Sequence, residues 1–411
     1  MTKKKLIGCL AIFITLFSKA LFATEYQIII KGNDKSENEF VSKLASKCVK
    51  AQRIDPEGEL DVDALKTCII NSKLFSEVNI EKREETITVS VKERLTLIPI
   101  PIVSIGSGED ASYGLFLMET NFLGMGKTLV LGGVVSGTND TMFLMYEDPA
   151  VLNSNWMFGT HIGSQTNEVY RYNGDKKGDG IQEKANAYGA SIGYTFNSEL
   201  SASMSLMHSA NEYKILDDYQ LPEDFEFNSI GLNLSWSDTH FKFYYQDGLS
   251  LQLDITQQID RSDDEALMQT YQLTGDWQMN LFSDHALQVG FELANTYHAD
   301  RKTALKVGGS PGMRGINDSG VWAKAYGSLA IDYNIPLSTH DSGTWTVAPF
   351  FDAGKIQSIT NSDETINYTA YGIGTYYYFK EIAIPAIGIY MGMNNKYQKV
   401  FSSFTLGFKF N

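Results

Sequence analysis

From Leu97 to the end of the chain, apolar residues recur at every second position. Tyr271, Leu273, Trp277, Met279 and Leu281 alternate with Gln272, Thr274, Asp276, Gln278 and Asn280. Leu287, Val289, Phe291 and Leu293 alternate with Gln288, Gly290, Glu292 and Ala294, and Leu249, Leu251, Leu253 and Ile255 alternate with Ser250, Gln252, Asp254 and Thr256. A period of two gathers the apolar side chains on one face of an extended strand and the polar ones on the other. Alternation and turn signals predict 16 antiparallel strands between Leu97 and Asn411, an even number that brings both ends of a closed sheet to the same side. The pattern leaves open which face meets water: polar side outward gives a soluble sandwich, apolar side outward a membrane barrel.

Residues 25–93 follow other periods. Tyr26 to Lys31 reads as a strand closed by Gly32-Asn33. Ser36 and Glu39 have capping-box spacing ahead of a helix that carries Phe40, Val41, Leu44, Ala45 and Cys48 on one face. Asp61 is placed to cap a second helix, with Val62, Leu65, Cys68 and Ile69 as its apolar stripe. Val78 to Lys82 and Thr86 to Lys92 complete the unit as a hairpin with Ile87, Val89 and Val91 on one side. The expected organisation is a small α+β domain over residues 24–94 and an all-β barrel over 95–411. Ahead of them, Met1 to Lys5 holds three lysines and Leu6 to Phe17 is an apolar run of signal-peptide length, too short to span a bilayer as a helix. Cleavage is expected after Ala23, in preference to Ala20, so residues 1–23 form the leader. Leu6-Ile7-Gly8-Cys9 resembles a lipobox, but no apolar core precedes it.

Composition narrows the choice. Tyr 22, Phe 23, Gly 35 and only 9 Pro suit many amphipathic strands better than one apolar core. The net charge of −15 includes four leader lysines, so the remainder stands near −19 and nucleic acid is not an expected partner. Beyond Arg94 there are 35 acidic against 18 basic residues, which predicts an acidic lumen and outer loops, favouring cations in any pore. The six histidines, among them His161, His208 and His285, show no metal-ligand spacing. No catalysis, cofactor or metal is expected. Cys48 and Cys68 lie one on each helix. In an oxidising compartment a disulfide between them is the expectation, the alternative being two buried thiols packed as small hydrophobes.

The order strand, helix, helix, with Leu74-Phe75-Ser76-Glu77-Val78 and the closing Thr88-Val89-Ser90-Val91-Lys92-Glu93, resembles a single POTRA domain. The resemblance implies a periplasmic domain that binds extended segments by adding a strand to its sheet edge. Gly308-Gly309-Ser310-Pro311-Gly312-Met313-Arg314-Gly315, between the eleventh and twelfth strands, resembles the signature loop of the BamA/TamA and two-partner-secretion family, the bacterial surface antigen superfamily. This implies a loop folded back into the barrel, with its arginine paired to acidic residues of the inner wall. Asp352, in Phe350-Phe351-Asp352-Ala353-Gly354, matches the family's aromatic-x-Asp-x-Gly strand, and Asp332 lies four residues before Pro336 on the preceding strand. The candidate set is Gly308, Gly309, Met313, Arg314, Gly315, Asp332, Phe350, Asp352 and Gly354. A guanidinium offers a carboxylate two parallel charge-assisted bonds that lysine cannot, and flanking glycines permit the sharp turn that delivers it. Ile316 departs from the Phe or Tyr of relatives.

Asn121-Phe122-Leu123-Gly124-Met125-Gly126 is similar to the family's first periplasmic turn. A phosphate loop over Gly124 to Thr128 is excluded, because Asn121 stands where that motif needs glycine and the segment joins two strands. Phe404, Leu406, Phe408 and Phe410 share a face and resemble the C-terminal signal of outer-membrane barrels, except that Asn411 follows the last aromatic. Pro99 and Pro101 have equal parity, so their missing N–H groups fall on one strand edge. That edge either faces the last strand, making a weak seam with the strand of Phe404, Phe408 and Phe410, or lies in a lead-in before pairing begins. Gly124-Met125-Gly126 and Asp148-Pro149 are expected as periplasmic turns, and the charged stretches Arg171–Lys184, Leu216–Asp224 and Arg261–Glu265 as outward insertions. The resemblance implies a factor for outer-membrane protein assembly, insertion or translocation, or alternatively a two-partner-secretion-like or porin-like channel. It implies as partners outer-membrane lipid and lipopolysaccharide, an extended client protein at the POTRA edge, and periplasmic or lipoprotein accessories.

Overall fold

The computed structural model describes residues 26–51, 60–104, 112–135, 139–173, 176–215, 224–242, 244–260, 267–282, 284–297, 304–307, 312–316, 321–359, 365–382, 386–395 and 400–406. The leader lies outside them, as do Gly308, Gly309, Phe408 and Phe410.

The N-terminal unit is built from β1 (Gln27–Lys31), α1 (Asn38–Ala51), α2 (Val62–Ile70), β2 (Phe75–Arg83) and β3 (Thr86–Glu93). Its sheet runs β1-β3-β2, with β1 parallel to β3, so β1 and β2 are the edges. Val41, Ala45, Leu65, Ile69, Phe75, Val78, Ile87 and Val89 are almost wholly buried between helices and sheet. Cys48 and Cys68 are bonded, with Sγ–Sγ 2.03 Å, and tie α1 to α2. Asp61 caps α2 by accepting the Ala64 N–H at 2.9 Å. The capping box expected at Ser36 and Glu39 does not form. The Ser36 hydroxyl instead accepts from Asn121 Nδ2 at 2.9 Å, and Glu39 faces solvent beside Lys43, because α1 begins two residues later, at Asn38.

The remainder is one antiparallel sheet of 16 main strands: β4 (Leu97–Ser104), β5 (Ser112–Phe122), β6 (Lys127–Val135), β7 (Asn139–Asp148), β8 (Trp156–Asn173), β9 (Lys176–Thr195), β10 (Leu200–Ile215), β11 (Phe225–Phe241), β12 (Gln246–Asp260), β13 (Leu267–Asn280), β14 (Ala286–Thr296), β16 (Trp322–His340), β17 (Gly343–Ser358), β18 (Thr365–Phe379), β19 (Ala386–Asn394) and β20 (Val400–Leu406). A two-residue strand, β15 (Leu305–Lys306), pairs beside β16. The order of neighbours is circular and returns from β20 to β4. Among the described residues, no hydrogen-bonded register joins those two strands. The charged stretch expected as an outward insertion at Arg171–Lys184 is largely strand, prolonging the β8–β9 hairpin.

Burial decides what alternation leaves open. On β14, Gln288 and Glu292 are buried while Leu293 is half exposed; on β16 and β17, Asp332, Thr346 and Asp352 are fully buried while Trp345 and Phe351 project outward. Leu115, Leu144, Ile162, Ile192, Leu206, Leu232, Ile373 and Met391 are likewise exposed around the sheet. A contiguous apolar outer face over a polar interior inverts the soluble arrangement and fits a lipid-facing wall. Aromatic clusters ring one end of the sheet: Trp156 with Tyr194 and Phe196, Phe282 with His285, and Trp345 with Tyr377 and Phe379. Such girdles favour the membrane–water boundary.

The N-terminal unit docks at that same end. The Glu37 N–H donates to the Gly124 carbonyl at 2.9 Å, Lys47 to the Ser154 carbonyl at 3.1 Å, and Asn71 bonds both the Thr239 carbonyl and the Phe241 N–H. Arg94 binds hardest: Nε donates to the Lys380 carbonyl at 2.9 Å, Nη1 to Lys73 at 3.1 Å, and Nη2 to the carbonyls of Phe379 and Ile382. Its guanidinium lies 5.4 Å from the Phe241 ring centre. The turns after β5, β7, β11 and β18 are therefore all held by the small domain.

Candidate functional site

The segment Gly312–Ile316 descends between β15 and β16 and lies against the inner face of β16–β18. Gly312 and Gly315 have φ of 76° and 82°, a region that costs a side-chain-bearing residue energy. Space demands glycine as well. A Cβ on Gly312 would stand 2.4 Å from the Leu329 carbonyl oxygen, and one on Gly315 2.5 Å from the Phe401 ring. Between them Met313 is fully buried among Ala294, Ile316, Ala323, Tyr326, Ile356 and Tyr368. Gly354, on β17, leaves the room that the Met313 thioether occupies. Ile316 is 5% exposed in the same cluster, so an aliphatic residue fills the tip.

Anchored on both sides, Arg314 points at two carboxylates. Its Nε donates to Asp352 at 2.9 Å and its Nη2 to the same carboxylate. Nη1 and Nη2 donate to Asp332 at 3.0 and 3.2 Å. The Arg314 N–H adds a bond to Asp352 Oδ2 at 3.0 Å, its carbonyl accepts from the Tyr368 hydroxyl, and the Gly315 carbonyl accepts from Asn394 Nδ2 at 3.3 Å. The guanidinium plane sits 3.8 Å above the Phe350 ring, with Tyr390 at 6.0 Å. Both carboxylates are wholly buried and the arginine side chain is 9% exposed. Two acids thus face one base, and Asp352 is met by the Arg314 backbone N–H as well as by the guanidinium. Nearby, Glu292 accepts from Tyr326 and from Gln272, extending the polar network along the inner wall.

The structure thus brings Met313, Arg314, Gly315, Asp332, Phe350, Asp352 and Gly354 into one cluster. Tyr368, Tyr390, Asn394 and Phe401 join it without any motif to mark them, since their alternating positions look like ordinary wall. Pro99 and Pro101 lie inside β4, paired with Leu117 and Leu115, rather than in a lead-in. Because β4 is continuously paired with β5 and proline cannot donate, the two missing donors fall on the edge toward β20. Phe404, on β20, pairs with Ile389 of β19. Asn121, Gly124 and Gly126 form a strand-to-strand turn closed by Asn121 Oδ1 accepting the Gly126 N–H at 2.8 Å. Among the described residues no group of His, Cys, Asp and Glu could hold a metal ion.

The Omp85 superfamily domain matches residues 121–384. Among solved structures the chain is similar to CdiB from Escherichia coli, with TM-score 0.63 and 14% identity over 93% of this chain and 76% of that one. It is similar to CdiB from Acinetobacter baumannii, with TM-score 0.59 and 10% identity over 93% and 73%. It is also similar to BamA from Haemophilus ducreyi lacking POTRA domains 1–3, with TM-score 0.57 and 13% identity over 93% and 84%. Identities this low speak for a shared fold alone. No curated protein sequence matches the chain.

Proposed function

The chain belongs to the Omp85 superfamily, and from that premise we propose that it is an outer-membrane factor that inserts or translocates client polypeptides. The observation that carries the reading is the Arg314 clamp. A loop folded into the lumen and held by two buried aspartates braces β16 against β17, and its Gly315 rests against Phe401 of β20, so it stiffens the wall that leads to the junction of β20 with β4. The weak element lies there: two donors are absent from the β4 edge that faces β20. We read β4–β20 as a closing seam able to part sideways.

In this reading residues 1–23 are a signal peptide, residues 24–94 are a POTRA domain in the periplasm, and residues 95–411 form the barrel. The edge of β1 offers an extended client a strand to pair with. The Cys48–Cys68 bridge suits an oxidising compartment. The role is handling of polypeptide at the lipid boundary rather than catalysis, with lipopolysaccharide around the wall and lipoprotein accessories as further candidate partners.

The test is deletion of the gene followed by comparison of outer-membrane and secreted proteomes, complemented with wild type or Arg314→Ala. Loss of specific clients in both the deletion and the Arg314→Ala strain supports the proposal. Unchanged proteomes, together with ion conductance indifferent to Arg314→Ala, would favour a porin-like channel.

A further inference from the structure

Between the small domain and the sheet lies a cavity of about 410 Å³ that the clamp does not use. Phe40, Lys43, Leu44 and Lys47 of α1 form one wall, Ser72, Lys73 and Leu74 a second, and Thr120, Gly126, Thr128, Pro149 and Ala150 the third. The volume falls within the range of small-ligand sites. Its chemistry is unlike the rest of the chain. Acidic residues outnumber basic ones in the whole protein, 49 to 34, yet this cavity is lined by three lysines and by no aspartate or glutamate.

The remaining surface is mostly apolar. We infer that the cavity binds an anionic single-chain amphiphile, its acyl chain along Phe40, Leu44 and Leu74 and its carboxylate or phosphate head among Lys43, Lys47 and Lys73. Ammonium groups on flexible stems suit such a head, which they meet as point charges. The Thr120 hydroxyl oxygen is buried at the cavity wall without a hydrogen-bond partner, a polar site available to a head-group oxygen. Burial lowers the Lys47 ammonium and pushes Lys73 down to about 8, with Arg94 contributing to the latter, so a bound anion would relieve two desolvated cations. Glu39 is the acid nearest the cluster, bonded to Lys43 at 2.5 Å from the solvent side. A ligand here touches both α1 and the turns after β5 and β7, and would strengthen docking of the domain.

The experiment uses the full mature chain in nonionic micelles with a photoreactive, diazirine-bearing dodecanoic acid, mapping adducts by mass spectrometry. Labelling is expected on α1 and on residues 120–153, reduced about tenfold or more in Lys47→Met and in Lys73→Met, as expected on losing a charge-assisted hydrogen bond. Lys47→Met guards against misfolding of the more buried variant, and retention of the folded band on unheated gels verifies both. Competition by excess dodecanoate supports a free fatty acid as occupant, and competition by lysophosphatidylglycerol alone supports a lipid phosphate. Competition by neither, equal competition by neutral dodecanol, or undiminished labelling in folded lysine variants overturns the inference.

Discussion

Asp352 holds Arg314 through both backbone and side chain: one carboxylate oxygen accepts the Arg314 amide at 3.0 Å and the guanidinium Nε at 2.9 Å. The loop and its charge are therefore fixed together. Removing the charge should free the loop as well.

Arg314→Ala leaves Asp332 and Asp352 buried and uncompensated, which costs about 3–5 kcal/mol. The temperature at which the folded band converts to the unfolded one on gels should fall clearly. Arg314→Lys should recover only part of the loss, because an ammonium cannot serve two carboxylates in parallel.

Gly312→Ala should unseat the loop with Arg314 intact. Its Cβ would meet the Leu329 backbone, which cannot give way without breaking the β16 ladder. Cleavage of the loop by added protease in folded protein should rise, whereas Gly354→Ala, which meets the movable end of Met313, should have a much smaller effect.

Arg94→Ala removes four hydrogen bonds to carbonyls at the domain boundary and the ring contact to Phe241. Distances between spin labels on α2 and on the turn after β18 should broaden from a single narrow distribution. The barrel's own heat resistance should change little, since no strand pairing passes through Arg94.

Docking of the small domain should strengthen as pH rises from about 8 toward 10. Lys73 loses its proton near 8 in the folded protein but only near 10.4 when solvated, so between these values the unfolded state binds more protons. Below 8 both states are protonated and the penalty is constant. Arg94, lowered by burial to about 10, adds to the trend at its upper end, while Lys92, raised by Glu381, opposes it only above its ordinary value. Lys73→Met should flatten the rise, read as the pH dependence of the domain's thermal transition.

Cys48→Ser with Cys68→Ser should cost the small domain about 3 kcal/mol, the loop-entropy value for a separation of 20 residues. Intact mass without reductant should be lower by two hydrogens than after reduction. Two free thiols would remove the bridge.

The sequence by itself determined what is local. Period-two alternation specified the strands and their 16-fold repetition, helical spacing specified α1 and α2, and the clamp of Arg314 with Asp332 and Asp352 was legible only through the resemblance of its loop and of the Asp352 strand to a known family. Only the tertiary structure decided which face of each strand meets lipid, because alternation is symmetric between inside and outside until the sheet curves around a polar interior. It also decided the fate of Ser36, which looked like a helix cap and instead serves Asn121, 85 positions away. Arg94 and the lysine-lined cavity carried no signal at all. Their partners lie up to 288 residues distant, and a contact between chain segments that far apart is written in no local period or motif, only in the packing that brings them together.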